Sequence, residues 1–275
     1  MNTIIDYYDE HPINETQIRA ALAREGKTAA RLAPEDLYAH DQDHYGGIDA
    51  TRRLASACGI RAGDRVLDVC SGMGGPARLI AHEWDCQVTG IDLNPNRTPS
   101  AARLTALVGL DARVRFVRGD ATRLPFAPAA FDRAIAQEAF LHIADKGALF
   151  AQCFAALKPG GCLAFTDWIA LDALEPDERR DLAEGIGLRA VHPKDEYRGH
   201  VTAAGFAPVE VEDLSSHWRE ILGARLEMYR AMDTDTVTQF GAARHATFIA
   251  GYEDFIERIE GGKLGGARFT ATKPN

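Results

Sequence analysis

The stretch VLDVCSGMGG, residues 66–75, contains residues well suited to holding a small ligand. Apolar residues flank Asp68, and Gly72, Gly74 and Gly75 then follow within four positions. Because glycine has no Cβ, a loop of this kind lets a ligand approach the backbone closely. The spacing from Gly72 to Ala77 also fits the pattern G-x-G-x-x-A of dinucleotide-binding loops. The stretch therefore predicts a binding loop after a β-strand.

Two further acids stand at comparable positions along the chain. Asp92 lies in the stretch GIDLN, 24 residues after Asp68, and Asp120 lies in GDATRLPF. Each follows an apolar run that predicts a strand. Ligands of open α/β sheets bind beyond the carboxyl ends of the strands, so we expect the three acids to face one ligand.

The chemistry of these acids distinguishes two ligands that suit the loop, a dinucleotide and S-adenosylmethionine. Asp68 would repel a pyrophosphate but suits an α-ammonium group. Asp92 can accept hydrogen bonds from the ribose hydroxyls of either ligand. Asp120, beside the small Ala121, can accept from an adenine amine and leave room for the ring. The set favours S-adenosylmethionine, and an NAD-dependent oxidoreductase is the remote alternative.

Alternating strands and helices must position these residues. The alternation predicts an α/β, doubly wound, Rossmann-like parallel sheet with helices on both faces. The apolar runs predict strands over residues 64–70, 87–93, 114–120, 131–137, 161–168, 207–215 and 267–274. The helical spacings cover residues 14–25, 46–59, 75–84, 98–109, 146–157 and 193–206, and two long ones cover residues 216–232 and 236–259.

Four regions follow from this alternation. We expect N-terminal helices and a lid over residues 1–60, and an S-adenosylmethionine-binding core over residues 61–215. A helical cap is expected as an insertion over residues 216–262, before a closing strand of the core over residues 263–275. The stretch DQDHYGG, residues 41–47, is the expected moving part of the lid, since Gly46 and Gly47 can absorb backbone rotation.

The motifs VLDVCSGMGG, GIDLN, GDATRLPF and FDRAIAQEAFLH occur in this order between Gly63 and Asp167. They resemble the ordered motifs of the class I S-adenosylmethionine-dependent methyltransferases. The stretches DQDHYGGIDAT and GGARFTATKP further resemble small-molecule methyltransferases, in particular the glycine/sarcosine/dimethylglycine and phosphoethanolamine N-methyltransferases. Cys70 departs from the pattern, because the family usually has the first loop glycine there.

The resemblance and the acids together predict the site. The cofactor is S-adenosyl-L-methionine, with S-adenosyl-L-homocysteine as product, and a small molecule accepts the methyl group. His142 is the first candidate for a general base, and His44 is the second. The residues expected to bind the cofactor are Tyr45, Asp68, Ser71, Gly72, Gly74, Asp92, Leu93, Asp120, Ala121 and Gln137.

The reaction expected at this site is an in-line displacement at the methyl carbon by a nitrogen, oxygen, sulfur or carbon nucleophile. The protein has to align the nucleophile, and a base is needed only where the nucleophile arrives protonated. A non-methylating reaction with bound S-adenosylmethionine, such as cyclisation or decarboxylation, is the alternative.

Bulk properties exclude other classes. The formal charge of −9 argues against nucleic acid as a partner, and neither a signal peptide nor an apolar run long enough to span a membrane is present. Five cysteines without a CxxC pair predict a reduced, cytoplasmic protein without structural zinc. No metal site is expected, and a homo-oligomer stays possible. The histidines considered too scattered to hold a metal are His192, His200, His217 and His245.

Overall fold

The computed structural model describes residues 4–28, 32–185 and 187–275. Residues 1–3 and 29–31 of the predicted N-terminal region therefore lie outside the described residues. The strands are β1 (Arg65–Val69), β2 (Gln87–Asp92), β3 (Val114–Arg118), β4 (Phe131–Gln137), β5 (Leu157–Ala170), β6 (Val209–Asp213) and β7 (Leu264–Thr272).

Helices flank and cap these strands, and short 3₁₀ turns occur at Pro34–Leu37 and Phe140–His142. The helices are α1 (Ile4–Asp9), α2 (Glu15–Arg24), α3 (Gly47–Ala57), α4 (Gly75–Glu83), α5 (Arg97–Leu107), α6 (Lys146–Ala156), α7 (Pro176–Gly185), α8 (Lys194–Ala203), α9 (Ser215–Ala231), α10 (Asp233–Phe240) and α11 (Ala242–Glu260). In the described part of the chain, none of these helices is both long and apolar enough to cross a membrane.

The strands form one seven-stranded sheet in the order β3-β2-β1-β4-β5-β7-β6. The neighbouring pairs among β1 to β5 are parallel, whereas β7 runs antiparallel to both β5 and β6. The α/β fold with a doubly wound sheet is confirmed, but the expectation of a wholly parallel sheet is wrong at this edge. After β6 the chain passes through three helices and re-enters the sheet between β5 and β6, in the opposite direction.

Apolar side chains bury both faces of the central strands. Val66, Leu67 and Val69 of β1 are fully buried, as expected for a parallel strand covered by helices on both sides. Across β5 and β7, the rings of Phe165 and Phe269 stack with centroids 4.6 Å apart. This packing fixes the strand ends from which the ligand-facing residues project.

Three cap helices, α9 to α11, lie between β6 and β7 in the chain. One continuous helix over residues 236–259 was expected, and this expectation is wrong. Gly241 has φ 87° and ψ 155°, a backbone conformation that no α-helix contains, so the chain breaks into α10 and α11. Aromatic residues of the cap pack on the sheet: the ring of Phe255 lies 4.5 Å from that of Trp168, centroid to centroid.

Candidate active site

A cavity of about 270 Å³ lies at the carboxyl ends of the parallel strands, between the sheet, α1 and the cap helices. All but one of the predicted site residues line it. Those that do are His44, Tyr45, Asp68, Ser71, Gly72, Asp92, Leu93, Asp120, Ala121, Gln137 and His142.

Gly74 is the exception, and its predicted contact with the cofactor stays a prediction. A Cβ on Gly74 would lie 2.4 Å from Cζ of Phe116, so glycine is required there by a neighbouring ring, and the residue does not line the cavity. Gly72 does line it, with φ 52° and its N–H donated to Oδ2 of Asp92 over 2.8 Å. Cys70 has φ 62°, so a cysteine holds the left-handed conformation for which glycine is suited.

Asp68 ends β1 as a buried carboxyl group without a counter-charge at its free oxygen. Its side chain is 3% exposed, and Oδ2 has no hydrogen-bond partner among the described residues. Burial, with the neighbouring carboxyl of Asp92, raises the pKa of Asp68 to about 8. A bound ammonium group would supply the missing partner, since an opposite charge stabilises the ionised form.

Gln137 presents an amide donor to the same cavity. Oγ1 of Thr51 lies 3.0 Å from Oε1 of Gln137 and 2.8 Å from Nε2 of His44. That His44 nitrogen also lies 2.9 Å from the Gly47 carbonyl, which only accepts, so the nitrogen carries a proton. The Thr51 hydroxyl is thereby free to donate to Gln137, with Oε1 of Gln42 as a longer alternative acceptor at 3.2 Å. Among the described residues, Nε2 of Gln137 is left buried without a partner. Such a donor suits a carboxylate.

The two remaining acids are held in place by backbone donors. Asp92 accepts from the N–H of Asn94 over 2.9 Å, in addition to Gly72. Asp120 accepts from both N and Oγ1 of Thr122, over 2.8 and 2.7 Å, and these bonds lower the pKa of Asp120. Leu93 lies beside them with 44% of its surface exposed, which suits it to cover a flat apolar ring.

These features form a set that fits S-adenosylmethionine. Oδ2 of Asp68 and Nε2 of Gln137 have no hydrogen-bond partner among the described residues, and both side chains line the cavity, so the first can pair with an ammonium group and the second can donate to a carboxylate. Asp92 and Asp120 are anchored acids suited to ribose hydroxyls and an adenine amine. Three of these four residues are acids, which would repel a pyrophosphate.

His142 forms a defined pair with Tyr8, a residue that the sequence did not indicate. Nδ1 of His142 lies 2.7 Å from the Gly187 carbonyl oxygen, so Nδ1 carries the proton. The unprotonated Nε2 then accepts from the Tyr8 hydroxyl over 2.8 Å. Burial lowers the pKa of His142 to about 4, and the ring is therefore neutral at pH 7. Both residues line the cavity.

Glu138 is a second functional candidate that sequence reasoning missed. It directly follows β4, lines the cavity and has φ 51°, an uncommon backbone conformation that clusters at functional sites in non-glycine residues. Its Oε1 accepts from the N–H of Tyr45 over 2.8 Å, and burial raises the pKa of Glu138 to about 8. The position after a strand that ends in Gln137 was the available signal.

The predicted lid segment, residues 41–47, packs as part of the fold. Asp41 and Arg78 form a buried ion pair with 2.9 Å between Oδ2 and the guanidinium. The Tyr45 hydroxyl lies 2.8 Å from that of Tyr252 on the cap. The ring of Tyr45 also packs against that of Trp168, with the ring centroids 5.1 Å apart. Tyr45 is thus a wall between sheet and cap, and movement of this segment stays a prediction.

Charged groups on the cap side of the cavity are paired with one another. Asp43 lies 3.1 Å from the guanidinium of Arg225 and 3.5 Å from Nδ1 of His11. Arg97 donates to the carbonyl oxygens of Tyr8 and Ile13, over 3.3 and 3.1 Å. Of the two arginines that line the cavity in the described part of the chain, Arg225 therefore has an acidic partner, whereas Arg97 contacts only carbonyl oxygens.

Comparisons with known proteins agree with this geometry. A family model described as "Methyltransferase domain" matches residues 66–161. The 27-O-demethylrifamycin SV methyltransferase of Amycolatopsis mediterranei is 33% identical over 228 residues, which cover 82% of this chain and 83% of that protein. The glycine/sarcosine/dimethylglycine N-methyltransferase of Actinopolyspora halophila is 28% identical over 78% of this chain, which spans only 38% of that protein.

A solved structure shows the same fold. The phosphoethanolamine N-methyltransferase 2 of Haemonchus contortus superposes with a TM-score of 0.81 at 24% identity, over 100% of this chain and 61% of that one. The resemblance drawn from the ordered motifs is confirmed. This chain belongs to the class I S-adenosylmethionine-dependent methyltransferases.

Proposed function

We propose that the enzyme transfers the methyl group of S-adenosylmethionine to a hydroxyl group of a small, largely apolar molecule. The single observation that carries this proposal is the Tyr8–His142 pair, with 2.8 Å between Oη and Nε2. It offers a neutral, oriented proton acceptor at the end of β4, where the cofactor residues converge. Hydroxyl groups are protonated at pH 7 and need such an acceptor when they become nucleophiles.

Five residues would hold the cofactor. Asp68 would pair with its ammonium group, and Nε2 of Gln137 would donate to its carboxylate. Asp92 would accept from the ribose hydroxyls. Asp120 would accept from the adenine amine, and Leu93 would cover the ring. When bound, S-adenosylmethionine supplies a methyl carbon on a positively charged sulfur, so the protein's main task is alignment of the acceptor.

The cap side of the cavity supports an apolar acceptor. Five aromatic side chains line it, from the sheet, the lid segment and the cap: Tyr45, Trp168, Tyr229, Tyr252 and Phe255. On the cap side Arg225 is already paired with Asp43, which disfavours a phosphate-bearing acceptor there, whereas Arg97 donates only to carbonyl oxygens. The name of the 33% identical relative specifies methylation at oxygen, which also supports a hydroxyl acceptor.

The proton path follows from the hydrogen bonds. The acceptor hydroxyl would donate to Oη of Tyr8, whose own proton would move to Nε2 of His142. Bound S-adenosylmethionine would supply the methyl carbon to the acceptor oxygen, with the carbon–sulfur bond as the bond broken. The bond from Nδ1 of His142 to the Gly187 carbonyl holds the ring and partly offsets the new charge. His44 is less suited, because its Nε2 is committed to Gly47 and Thr51.

A second candidate is an amine acceptor, favoured by Glu138. Its carboxyl group lies in the cavity with the pKa raised to about 8. A positively charged acceptor would pair with the ionised form, and aromatic rings would add cation–π attraction. A protonated amine also has to lose a proton before it can attack, so the two candidates share the need for a base.

The test is release of S-adenosylhomocysteine from purified enzyme across panels of alcohols and phenols, amines, thiols and carbon nucleophiles of similar size. Release with hydroxyl compounds, lost in His142→Gln, supports the proposal. Release with amines alone, lost in Glu138→Gln, supports the second candidate. Binding of S-adenosylmethionine without any release would contradict both and indicate cyclisation, decarboxylation or another non-methylating reaction.

The cellular location and the absence of a nucleic-acid partner are proposed with this function. All five cysteines are free, which supports a reducing, cytoplasmic location. The excess of 40 acidic over 31 basic side chains supports the absence of a nucleic-acid partner.

A further inference from the structure

Two of the histidines expected to be scattered come together at the start of α8, outside the active site. Glu196 and His200 lie four residues apart on α8 and so share one face of the helix, and His192 lies two residues before the first residue of that helix. One ligand atom of each lies within 4.8 Å of the others. The expectation of scattered histidines is wrong for this pair, and the spacing itself was the signal that could have found it.

The distances within this cluster are close to those of a metal site. Oε1 of Glu196 lies 2.8 Å from Nδ1 of His192 and 3.7 Å from Nε2 of His200. Neighbouring ligands of a tetrahedral zinc ion stand about 3.3 Å apart, given metal–ligand bonds of about 2.0–2.1 Å. The observed separations bracket this value, so small rotations of exposed side chains would complete the geometry.

The ring of His192 is held in place by the fold. Its carbonyl oxygen accepts from the N–H of Ala170 over 3.0 Å, which joins it to the end of β5, and its ring contacts that of Tyr197 at 5.8 Å. Nε2 of His200 is a buried atom without a hydrogen-bond partner among the described residues, and it lies 3.7 Å from the carboxylate oxygen that Nδ1 of His192 also meets. Two imidazole nitrogens therefore flank one carboxylate oxygen.

We propose that His192, Glu196 and His200 bind one divalent transition-metal ion, with Zn²⁺ the best match to two imidazoles and a carboxylate. Water would occupy the fourth position, since Glu196 is half-exposed and the cluster is open to solvent. The site is separate from the methyl-transfer site, and the proposal does not rest on that reaction.

The metal would also reinforce the segment that orients the Tyr8–His142 pair. Residues 187–192 lead directly into α8, and the carbonyl oxygen of Gly187 in this segment accepts from Nδ1 of His142. Ala190 donates to the carbonyl of Leu141 over 2.7 Å and accepts from Nζ of Lys146 over 3.0 Å. An ion that joins His192 to the body of α8 would tie the end of this segment to a helix.

The test is calorimetric titration of chelator-treated, full-length protein with ZnCl₂, with CoCl₂ absorbance as the report of tetrahedral ligation. The variants are His200→Ala and Glu196→Gln. His82→Ala is the matched control, because His82 pairs with a carboxylate of Glu35 at 2.9 Å and belongs to no three-residue cluster among the described residues. Circular dichroism checks that each variant is folded.

We expect one Zn²⁺ per chain at micromolar affinity, at least tenfold weaker binding in both variants and unchanged binding in the control. Saturating Zn²⁺ should raise the Tm of the wild type by several degrees and leave that of His200→Ala unchanged. No binding at millimolar ZnCl₂, or equal binding in wild type, His200→Ala and Glu196→Gln, would overturn the proposal. If His200→Ala does not fold, Glu196→Gln decides, since its side chain is half-exposed.

Discussion

Asp68→Asn is expected to weaken S-adenosylmethionine binding while it leaves the fold intact. Asparagine keeps the size of the side chain and removes the charge that would pair with the ammonium group. Hydrogen bonds to charged groups contribute about 1.5–3 kcal/mol, so the Kd should rise roughly 10- to 150-fold. The loss should fall on the cofactor and spare the fold, because Oδ2 of Asp68 has no hydrogen-bond partner among the described residues.

The raised pKa of Asp68 gives this prediction a second, independent signature. With a pKa of about 8, the carboxyl group of the free enzyme is mostly protonated at pH 7, whereas pairing with an ammonium requires the ionised form. Wild-type enzyme should therefore release close to one proton per S-adenosylmethionine bound at pH 7, and its affinity should fall as the pH drops below about 8. Asp68→Asn should release none through this group.

The sign of the stability effect runs the other way. The native pKa of Asp68 lies above the 3.8 of an ordinary aspartate in the unfolded chain, so the ligand-free fold is favoured at low pH and loses stability as the pH rises from about 4 to about 8. Asparagine does not ionise. The ligand-free variant should therefore melt at a higher temperature than the wild type at pH 8, although it binds the cofactor more weakly.

Calorimetry in two buffers of different ionisation enthalpy measures both the Kd and the proton count. Asp85→Asn is the matched control, because Asp85 is an exposed acid paired with Arg113 and lies outside the cavity lining. An unchanged Kd together with an unchanged proton count in Asp68→Asn would refute the assignment of Asp68 to the ammonium group.

Three further predictions concern other parts of the structure. Tyr8→Phe and His142→Gln should each lower kcat about 100-fold or more with an unchanged Kd for S-adenosylmethionine, as measured by S-adenosylhomocysteine release and calorimetry. Asp41→Asn should lower the free energy of unfolding by about 3–5 kcal/mol in urea titrations, because it leaves the guanidinium of Arg78 buried without its counter-charge. Cys70→Gly should raise it by about 1 kcal/mol, because it relieves the left-handed backbone at φ 62°.

Each of these has a distinct contradicting outcome. A kcat that survives in Tyr8→Phe would remove Tyr8 from the proton path. Asp177→Asn is the control for Asp41→Asn, since its pair with Arg180 is exposed and should contribute far less to stability; equal losses in both would show that burial does not decide the effect. A destabilised Cys70→Gly would mean that packing of the thiol outweighs backbone strain.

The sheet and the candidate cofactor residues could be predicted from the sequence because short, local patterns mark them. Apolar runs that end in Asp68, Asp92 and Gln137 mark β1, β2 and β4, and parallel strands bring their ends to one edge. Gly72, predicted from the glycine loop, lines the cavity. The contact that excludes a side chain at Gly74 could not be predicted, since the ring of Phe116 belongs to β3, far along the chain.

The residues expected to handle the acceptor depend on contacts between distant parts of the chain. Tyr8 and His142 are 134 positions apart, and no local pattern relates them. Glu138 could have been noted from its position directly after β4, but its left-handed backbone at φ 51° is not visible in the sequence. Helix α7, with sequence PDERRDLAEG, lacks the regular apolar spacing of an amphipathic helix, so it was not predicted.

The most direct test of the central claim uses S-adenosylmethionine that carries a deuterated methyl group. The enzyme is incubated with it and with a hydroxyl acceptor identified by S-adenosylhomocysteine release, and the product is analysed by mass spectrometry and NMR. The account predicts a CD₃ group bonded to the acceptor oxygen, in equal amount to the S-adenosylhomocysteine formed, and its loss in His142→Gln. A product that lacks the label, or that carries it on nitrogen or carbon, would contradict the account.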